Sequence, residues 1–217
     1  MKKGKIFDIR YFPMDSARFT LMLAKPFLRI KKLGLDGKKY KDPIKGGRIL
    51  VANHVRFADP FILGSAFWFK RVFFLAAEVV MDKPFTGFLL KLAGCIRIER
   101  KKTDLDAIRK SVNVLKAGKS LVIFPQGQII KADELNSIKS GTVLIAAQAG
   151  VPIVPMYSAH RKGFFDSNKL IIGEPFYLKD YCSKKIPSLS EEEELSQLLL
   201  ERMAECRRVY EKLEGEK

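Results

Sequence analysis

Val51-Ala52-Asn53-His54-Val55-Arg56-Phe57-Ala58-Asp59-Pro60 sets an apolar stretch, residues 49–52, directly ahead of a histidine and an aspartate five positions apart. His54 is the only histidine in the first 159 residues. A regular helix turns about 500° over five residues, so on a helix the two side chains would diverge. On a strand they would face opposite sides. They can meet only across a turn. Asp59 followed by Pro60 has the form of a helix N-cap with proline at the first helical position. The expected layout is a strand, a short loop carrying His54, and a helix opening at Asp59. The spacing admits two readings. In one, the carboxylate accepts a hydrogen bond from one imidazole nitrogen while the other nitrogen faces a substrate hydroxyl. In the other, a capping aspartate stands near an incidental loop histidine.

Outward from this stretch the chain alternates. Ahead of it, residues 33–51 are expected to form a turn-rich hairpin, with Gly34, Gly37, Pro43, Gly46 and Gly47, leading into a strand at 48–52. After it come a helix at 60–70, a strand at 72–77, a helix at 84–93, a strand at 95–100, a helix at 105–117 and a strand at 121–124. A helix at 140–149, strands at 152–157 and 170–172, and a C-terminal helix from Ser190 to Leu213 complete the order. Ser190 before four glutamates suits a helix start, because a cap and negative charge both favour the N-terminal dipole. Strands alternating with helices of this length define the fold class as α/β, with a mixed, largely parallel sheet covered by helices on both faces. In such sheets ligands gather where strands end. Asn53 to Asp59, Glu99 to Lys102, Pro125 to Gln128 and Ser158 to Lys162 all fall in strand-end loops.

The composition narrows the classes. With 217 residues, 47% of them hydrophobic, the chain is long enough for one substantial core. Three cysteines, Cys95, Cys182 and Cys206, follow no metal or redox spacing and read as reduced thiols of a cytosolic environment. Two histidines make a histidine-rich metal site unexpected, and nothing calls for a cofactor. The basic start is not followed by a signal-type apolar stretch, and the longest apolar runs fall short of the 18 or so residues of a membrane span. The formal net charge is +16. Residues 1–50 hold 14 Lys/Arg against 4 Asp/Glu, a net +10, while residues 188–217 hold 5 against 9, a net −4. Within residues 16–32, Phe19, Leu21, Met22, Leu23, Phe27, Leu28 and Ile30 are interleaved with Arg18, Lys25, Arg29, Lys31 and Lys32. Such a mixture suits an interfacial helix, where apolar burial and attraction to anionic lipid act together. Residues 1–33 are therefore read as a basic amphipathic, membrane-facing helical segment, the alternative being an ordinary amphipathic helix docked on the core with a solvated basic face.

Four blocks across residues 48–157 resemble, in order and spacing, the glycerolipid acyltransferase family that includes the lysophosphatidic acid acyltransferases. They are Asn53-His54-x4-Asp59; Gly94-Cys95-Ile96-Arg97-Ile98-Glu99-Arg100; Phe124-Pro125-Gln126-Gly127-Gln128; and Val151-Pro152-Ile153-Val154-Pro155, preceded by Lys139-Ser140-Gly141. The resemblance makes residues 34–217 the acyltransferase domain. It implies transfer of a fatty acyl group from acyl carrier protein or coenzyme A thioesters to the hydroxyl of a lysophospholipid, lysophosphatidic acid giving phosphatidic acid. His54 would be the general base and Asp59 its orienter, with no acyl-enzyme. Arg97 and Arg100 would hold the acceptor phosphate, a task suited to the guanidinium fork. Pro125, Gln126, Gly127, Gln128 and Lys139 would line the substrate site. The implied location is peripheral, on the cytoplasmic face of a membrane with an anionic surface.

The third block departs from the family. Gln126 stands where glutamate is usual, and Gln128-Ile129 where threonine-arginine is usual. Gln126 keeps size and hydrogen-bonding capacity but loses a charge, and Ile129 removes a phosphate contact. This leaves other acceptors open: glycerol 3-phosphate, another lysophospholipid or a glycolipid. A reading of a different class is a non-catalytic basic module for membranes or nucleic acid. It lacks any recognised nucleic-acid motif and leaves the four blocks unexplained.

Overall fold

Every residue of β2 (Arg48–Ala52) is buried, as a strand in the middle of a sheet covered on both faces requires. Its side chains divide by parity. Ile49 and Val51 join one core and Leu50 and Ala52 the other. This is the geometry of a three-layer α/β protein, seen in a computed structural model that describes residues 11–99, 103–127, 129, 138–160, 166–182 and 186–215.

In chain order the elements are α1 (Phe12–Leu28), β1 (Ile30–Leu33), β2, α2 (Asp59–Ala66), β3 (Val72–Ala77), α3 (Glu78–Met81), α4 (Pro84–Leu92) and β4 (Cys95–Ile98). They continue with α5 (Leu105–Lys116), β5 (Ser120–Ile123), α6 (Ser140–Ala149), β6 (Ile153–Ala159), β7 (Asn168–Ile172), a 3₁₀ turn (Leu178–Asp180) and α7 (Leu189–Gly215). The seven strands are ordered β1-β7-β6-β2-β5-β3-β4. All neighbouring pairs are parallel except β6 and β7. One face of the sheet packs against α5, α6 and α7 through Ile108, Val112, Leu115, Val143, Ala146, Leu195, Leu199 and Met203. The other face packs against α2 through Leu63 and Ala66, and against Phe67 just beyond it. The mixed, largely parallel sheet with helices on both faces is thus the fold of the chain.

Local chemistry explains where elements start and stop. Asp104 caps α5 by accepting from the Ala107 N–H at 3.0 Å. α7 opens with a capping box, in which Ser188 Oγ accepts from the Glu191 N–H and the Glu191 carboxylate returns to the Ser188 N–H at 2.7 Å. The cap is therefore Ser188 and not Ser190. α1 carries Pro26 in its last turn and ends at Leu28, with Arg29 in the left-handed region at φ 45°. The chain then leaves the helix, and Ile30 begins an edge strand paired with Asn168. Residues 30–32, expected within the amphipathic helical segment, are thus part of the sheet. The expected hairpin reduces to a tight turn at 34–37 and one antiparallel bridge, Leu33 with Lys39.

α1 is bound to the body by Asp15, whose carboxylate accepts from Arg71 at 2.7 and 3.0 Å, and by Arg18 Nε, which donates to the Trp68 carbonyl at 2.8 Å. α2 ends at Ala66, and the short α3 precedes α4 without a clear sequence signal.

Gly47 admits β2 to the sheet. A Cβ built there would lie 2.2 Å from the Leu115 carbonyl oxygen and 3.1 Å from that of Lys119. These backbone atoms cannot swing aside, so Gly47→Ala should destabilise the protein by about 1–3 kcal/mol, the usual cost of overpacking. A urea melt in which the variant matches the parent midpoint would show that the β2 entry can relax.

Candidate active site

The parallel register brings the carboxyl ends of three neighbouring strands level. Val51 of β2 lies beside Ile123 of β5 and Pro155 of β6. The loops that follow hold His54, the Phe124 to Gly127 turn and His160. The loop after β4, which carries the second sequence block, belongs to the edge strand, with β3 between it and β5. Three of the four expected loops therefore follow adjacent central strands, and the fourth follows an edge strand.

Asp59 is at the centre of this arrangement. It is fully buried. Its Oδ2 accepts from His54 Nδ1 at 3.0 Å and from the Val55 and Arg56 backbone N–H groups, each at 2.8 Å. Its Oδ1 accepts from His160 Nε2 at 2.8 Å, with Ser158 Oγ more distant at 3.5 Å. The carboxylate thus folds back over the loop that precedes it and does not cap α2, whose N-cap position is Ala58 with no side-chain cap. Burial by itself would raise the Asp59 carboxyl. The bonds from His160, His54 and the Arg56 N–H outweigh it and hold the group well below the ordinary carboxylate range.

An ionised carboxylate can only accept, so both imidazoles must donate toward it. His54 then carries its proton on Nδ1 and presents a bare Nε2. The His54 side chain is 17% exposed, and Nε2 has no protein partner among the described residues. Its ring stacks on Phe124, with centroids 4.3 Å apart and planes at 22°. Asn53, 1% exposed, bonds the β6 backbone twice, through Ser158 O at 3.0 Å and Ser158 N at 2.7 Å. The loop after β2 is thereby fastened to the ends of both its neighbours. A base poised beside open space, with its tautomer set by a buried acid, can remove a proton from a hydroxyl.

Phe124 to Gly127 form a turn closed by the Gly127 N–H donating to the Phe124 carbonyl at 2.9 Å. Gly127 sits at φ +70°, and a Cβ there would meet the Lys139 side chain at 3.2 Å. Lys139 also donates its backbone N–H to Pro125 O at 3.1 Å, so the Lys-x-Gly element and the third block form one unit. Gln126 is 7% exposed, and neither end of its amide has a hydrogen-bond partner among the described residues.

Arg97 is placed differently. Its guanidinium is held by Asp82 at 2.7 and 2.8 Å and by Glu99 at 3.3 Å. Arg100 and Gln128 lie outside the described residues. Cys95 and Cys206 are pushed up to about 12 by burial, so neither offers a thiolate. The sequence reading did not give His160 a role. The signal was present: it is the only other histidine, at the end of the strand beside β2.

The imidazole–carboxylate pair stands at the strand ends, where ligands of α/β sheets gather. The chain belongs to the acyltransferase family, whose model, described as "Acyltransferase", matches residues 32–159. It is 29% identical over 133 residues to a chloroplastic 1-acyl-sn-glycerol-3-phosphate acyltransferase of Arabidopsis thaliana, covering 60% of this chain and 36% of that protein. It is 26% identical over 176 residues to the 1-acyl-sn-glycerol-3-phosphate acyltransferase of Bacillus subtilis, covering 79% and 86%. The crystal structure of the 1-acyl-sn-glycerophosphate acyltransferase of Thermotoga maritima shares the fold, with a TM-score of 0.54 at 21% identity over 90% of this chain and 86% of that one. The chain spans only about a third of the plant relative it matches.

Asp59→Asn would turn an amide N–H₂ toward N–H donors on at least one side. The variant should lose about 1–3 kcal/mol of stability, the cost of unsatisfied buried groups, as well as acyl transfer. The depressed carboxyl also sets a sign with pH. Its stabilisation is present above the ordinary aspartate value near 4 and is lost as the pH falls below it. Urea melts between about pH 3 and 7 should show less acid destabilisation in the Asn variant than in the parent. Equal slopes would mean that Asp59 titrates as it does in the unfolded chain.

Proposed function

We propose that this chain transfers a fatty acyl group from a thioester to the hydroxyl of a lysophospholipid, in the first instance 1-acylglycerol 3-phosphate. The supporting observation is His54, with Nδ1 bound to the buried Asp59 carboxylate and Nε2 unpartnered among the described residues. Nε2 takes the proton from the acceptor hydroxyl as its oxygen attacks the thioester carbonyl. The tetrahedral adduct then expels the thiolate, which takes the proton back from the imidazolium. Asp59 stabilises that cation and keeps the ring in place. The donor is an acyl-acyl carrier protein or acyl-coenzyme A, and either anionic carrier suits a chain of net charge +16.

We place the reaction at an anionic membrane surface. Among the described residues no helix is long and apolar enough to cross a membrane. Bulky apolar side chains are nonetheless exposed toward the site end of the sheet: Phe27 is 79%, Phe57 75% and Phe85 73% exposed. β1 runs antiparallel to β2, so the end of α1 that carries Phe27 meets the same end of the sheet as His54. Phe57 is in the loop after β2, and Phe85 is in the first turn of α4, which follows the end of β3 by way of the short α3. Arg29, Lys31 and Lys83 stand near them in sequence, which suits anionic headgroups.

The phosphate of the acceptor is assigned to Arg100, with Lys139 beside the Gly127 turn. Arg97 would first have to leave Asp82. A second acceptor class, one without a phosphomonoester, is favoured by the third block. Gln126 is neutral, and Ile129, in the arginine's place, is 52% exposed.

His54→Ala should cost about 10²-fold or more in acyl transfer, the usual worth of a general base, while the protein still folds, since Asp59 keeps its Val55, Arg56 and His160 donors. Assays with both donor types and a panel of acceptors measure this, and a variant retaining a tenth or more of parental activity would remove the base. Replacing Phe27 and Phe85 together by serine should weaken binding to phosphatidylglycerol-containing vesicles by about tenfold or more, given the worth of burying each ring. Sedimentation at two salt concentrations tests it, and undiminished binding would place the membrane surface elsewhere.

A further inference from the structure

The acid that orients His54 is itself gripped by a second histidine from another strand. We propose that His160 is a positioning residue for acyl transfer: its Nε2–H holds the outer oxygen of Asp59 so that the inner oxygen stays aimed at His54. The inference rests on the reading of His54 as the base.

The geometry carries it. Asp59 Oδ2 is satisfied by three donors, all from the loop at 54–56. Oδ1 depends on His160 at 2.8 Å, its other contact being Ser158 Oγ at the 3.5 Å limit. The His160 side chain is only 8% exposed, so water does not readily replace it. Without the His160 donor, Oδ1 would be a buried carboxylate oxygen with one weak bond. Rotation about the Asp59 Cβ–Cγ bond would relieve that deficit by turning the carboxylate toward other donors. The same rotation would move Oδ2 away from His54 Nδ1. Asp59 would then no longer fix which His54 nitrogen carries the proton. A ring protonated on Nε2 cannot accept from the substrate hydroxyl.

The bond also has structural content, since it joins the start of α2 to the end of β6. A merely structural role and a positioning role are separable by reach. The Gln amide nitrogen, at the end of a longer side chain, can mimic imidazole Nε2. The Asn amide is one methylene shorter and falls near the place of Nδ1. Both are polar and uncharged, so they differ mainly in whether a donor meets Oδ1.

The experiment compares His160→Gln, His160→Asn and His160→Leu, with His54→Ala as reference, in acyl transfer and in ¹⁵N-imidazole NMR of the full chain. The chain has only two histidines, so each His160 variant leaves the His54 ring signals alone in the spectrum. The Asn and Leu variants should lose about tenfold or more in kcat, as expected when a catalytic group is misplaced, with acceptor KM within about twofold. Their His54 ring should shift from the Nδ1–H form toward a mixture with Nε2–H. The Gln variant should keep kcat within about threefold of the parent, with the Nδ1–H form intact. Should the Leu variant fail to fold, the Gln and Asn pair still decides. An Asn variant with parental kcat and an unshifted His54 tautomer overturns the proposal, as does a Gln variant as impaired as the Asn one. If His54→Ala is inactive while the His160 variants are fully active, positioning alone fails. An active His54→Ala overturns the base reading and the proposal together.

Discussion

A carboxylate buried to zero exposure is the constraint on which this site depends. Removing an ion of that size from water costs several kcal/mol even after relaxation, so the surroundings must return it in directed bonds. Asp59 receives them from two backbone N–H groups, two imidazoles and, more weakly, a serine hydroxyl. It also stands in the first turn of α2, where the helix dipole favours negative charge. These contributions outweigh burial, and the group stays ionised. An acceptor-only Asp59 then dictates where the protons sit on both histidines, and it leaves Nε2 of His54 without a partner among the described residues.

The donors come from segments about a hundred residues apart in sequence, and the sheet is what brings them together. β2 lies between β5 and β6, and all three are wholly buried. Their parallel register leaves the ends level, so a short loop can reach both neighbours. Asn53 fastens that loop to Ser158 through two backbone bonds, and Phe124 backs the His54 ring from the other side. Apolar packing of two independent cores fixes the strands, and the strands fix the polar atoms.

Much of this was legible in the sequence, and the parts that were not have physical reasons. Most of the strands and helices were located because burial on both sheet faces leaves continuous apolar runs between turn-rich segments. The order of strands was not legible, since parallel pairing is decided by contacts between distant segments. The role of His160 was hidden for that reason: its partner is 101 residues away. The spacing of His54 and Asp59 did specify a turn, and the pair was read correctly as able to meet. The capping role given to Asp59 failed because its carboxylate faces backward, where two loop N–H groups and a histidine compete for it more strongly than the α2 backbone does. The helix continued through residues 30–32 failed at Pro26, after which the unpaired edge of β7 supplies the better bonds.

The distribution of charge and apolar surface gives the molecule a direction. The acidic α7 packs with α5 and α6 behind one face of the sheet, so its glutamates offset the positive charge on that side. The basic, phenylalanine-rich α1 packs on α2 and ends beside the strand termini that hold the base. A soluble monomer gains nothing from exposed phenylalanines at the mouth of its site, where they cost hydration and invite association. An acceptor and an acyl chain that arrive from a lipid phase would need such a mouth. Gln126 lies deeper, 7% exposed, while the phenylalanines stand in solvent. The end of α1 that carries Phe27 and the turn after β5 thus stand at the same end of the sheet as His54.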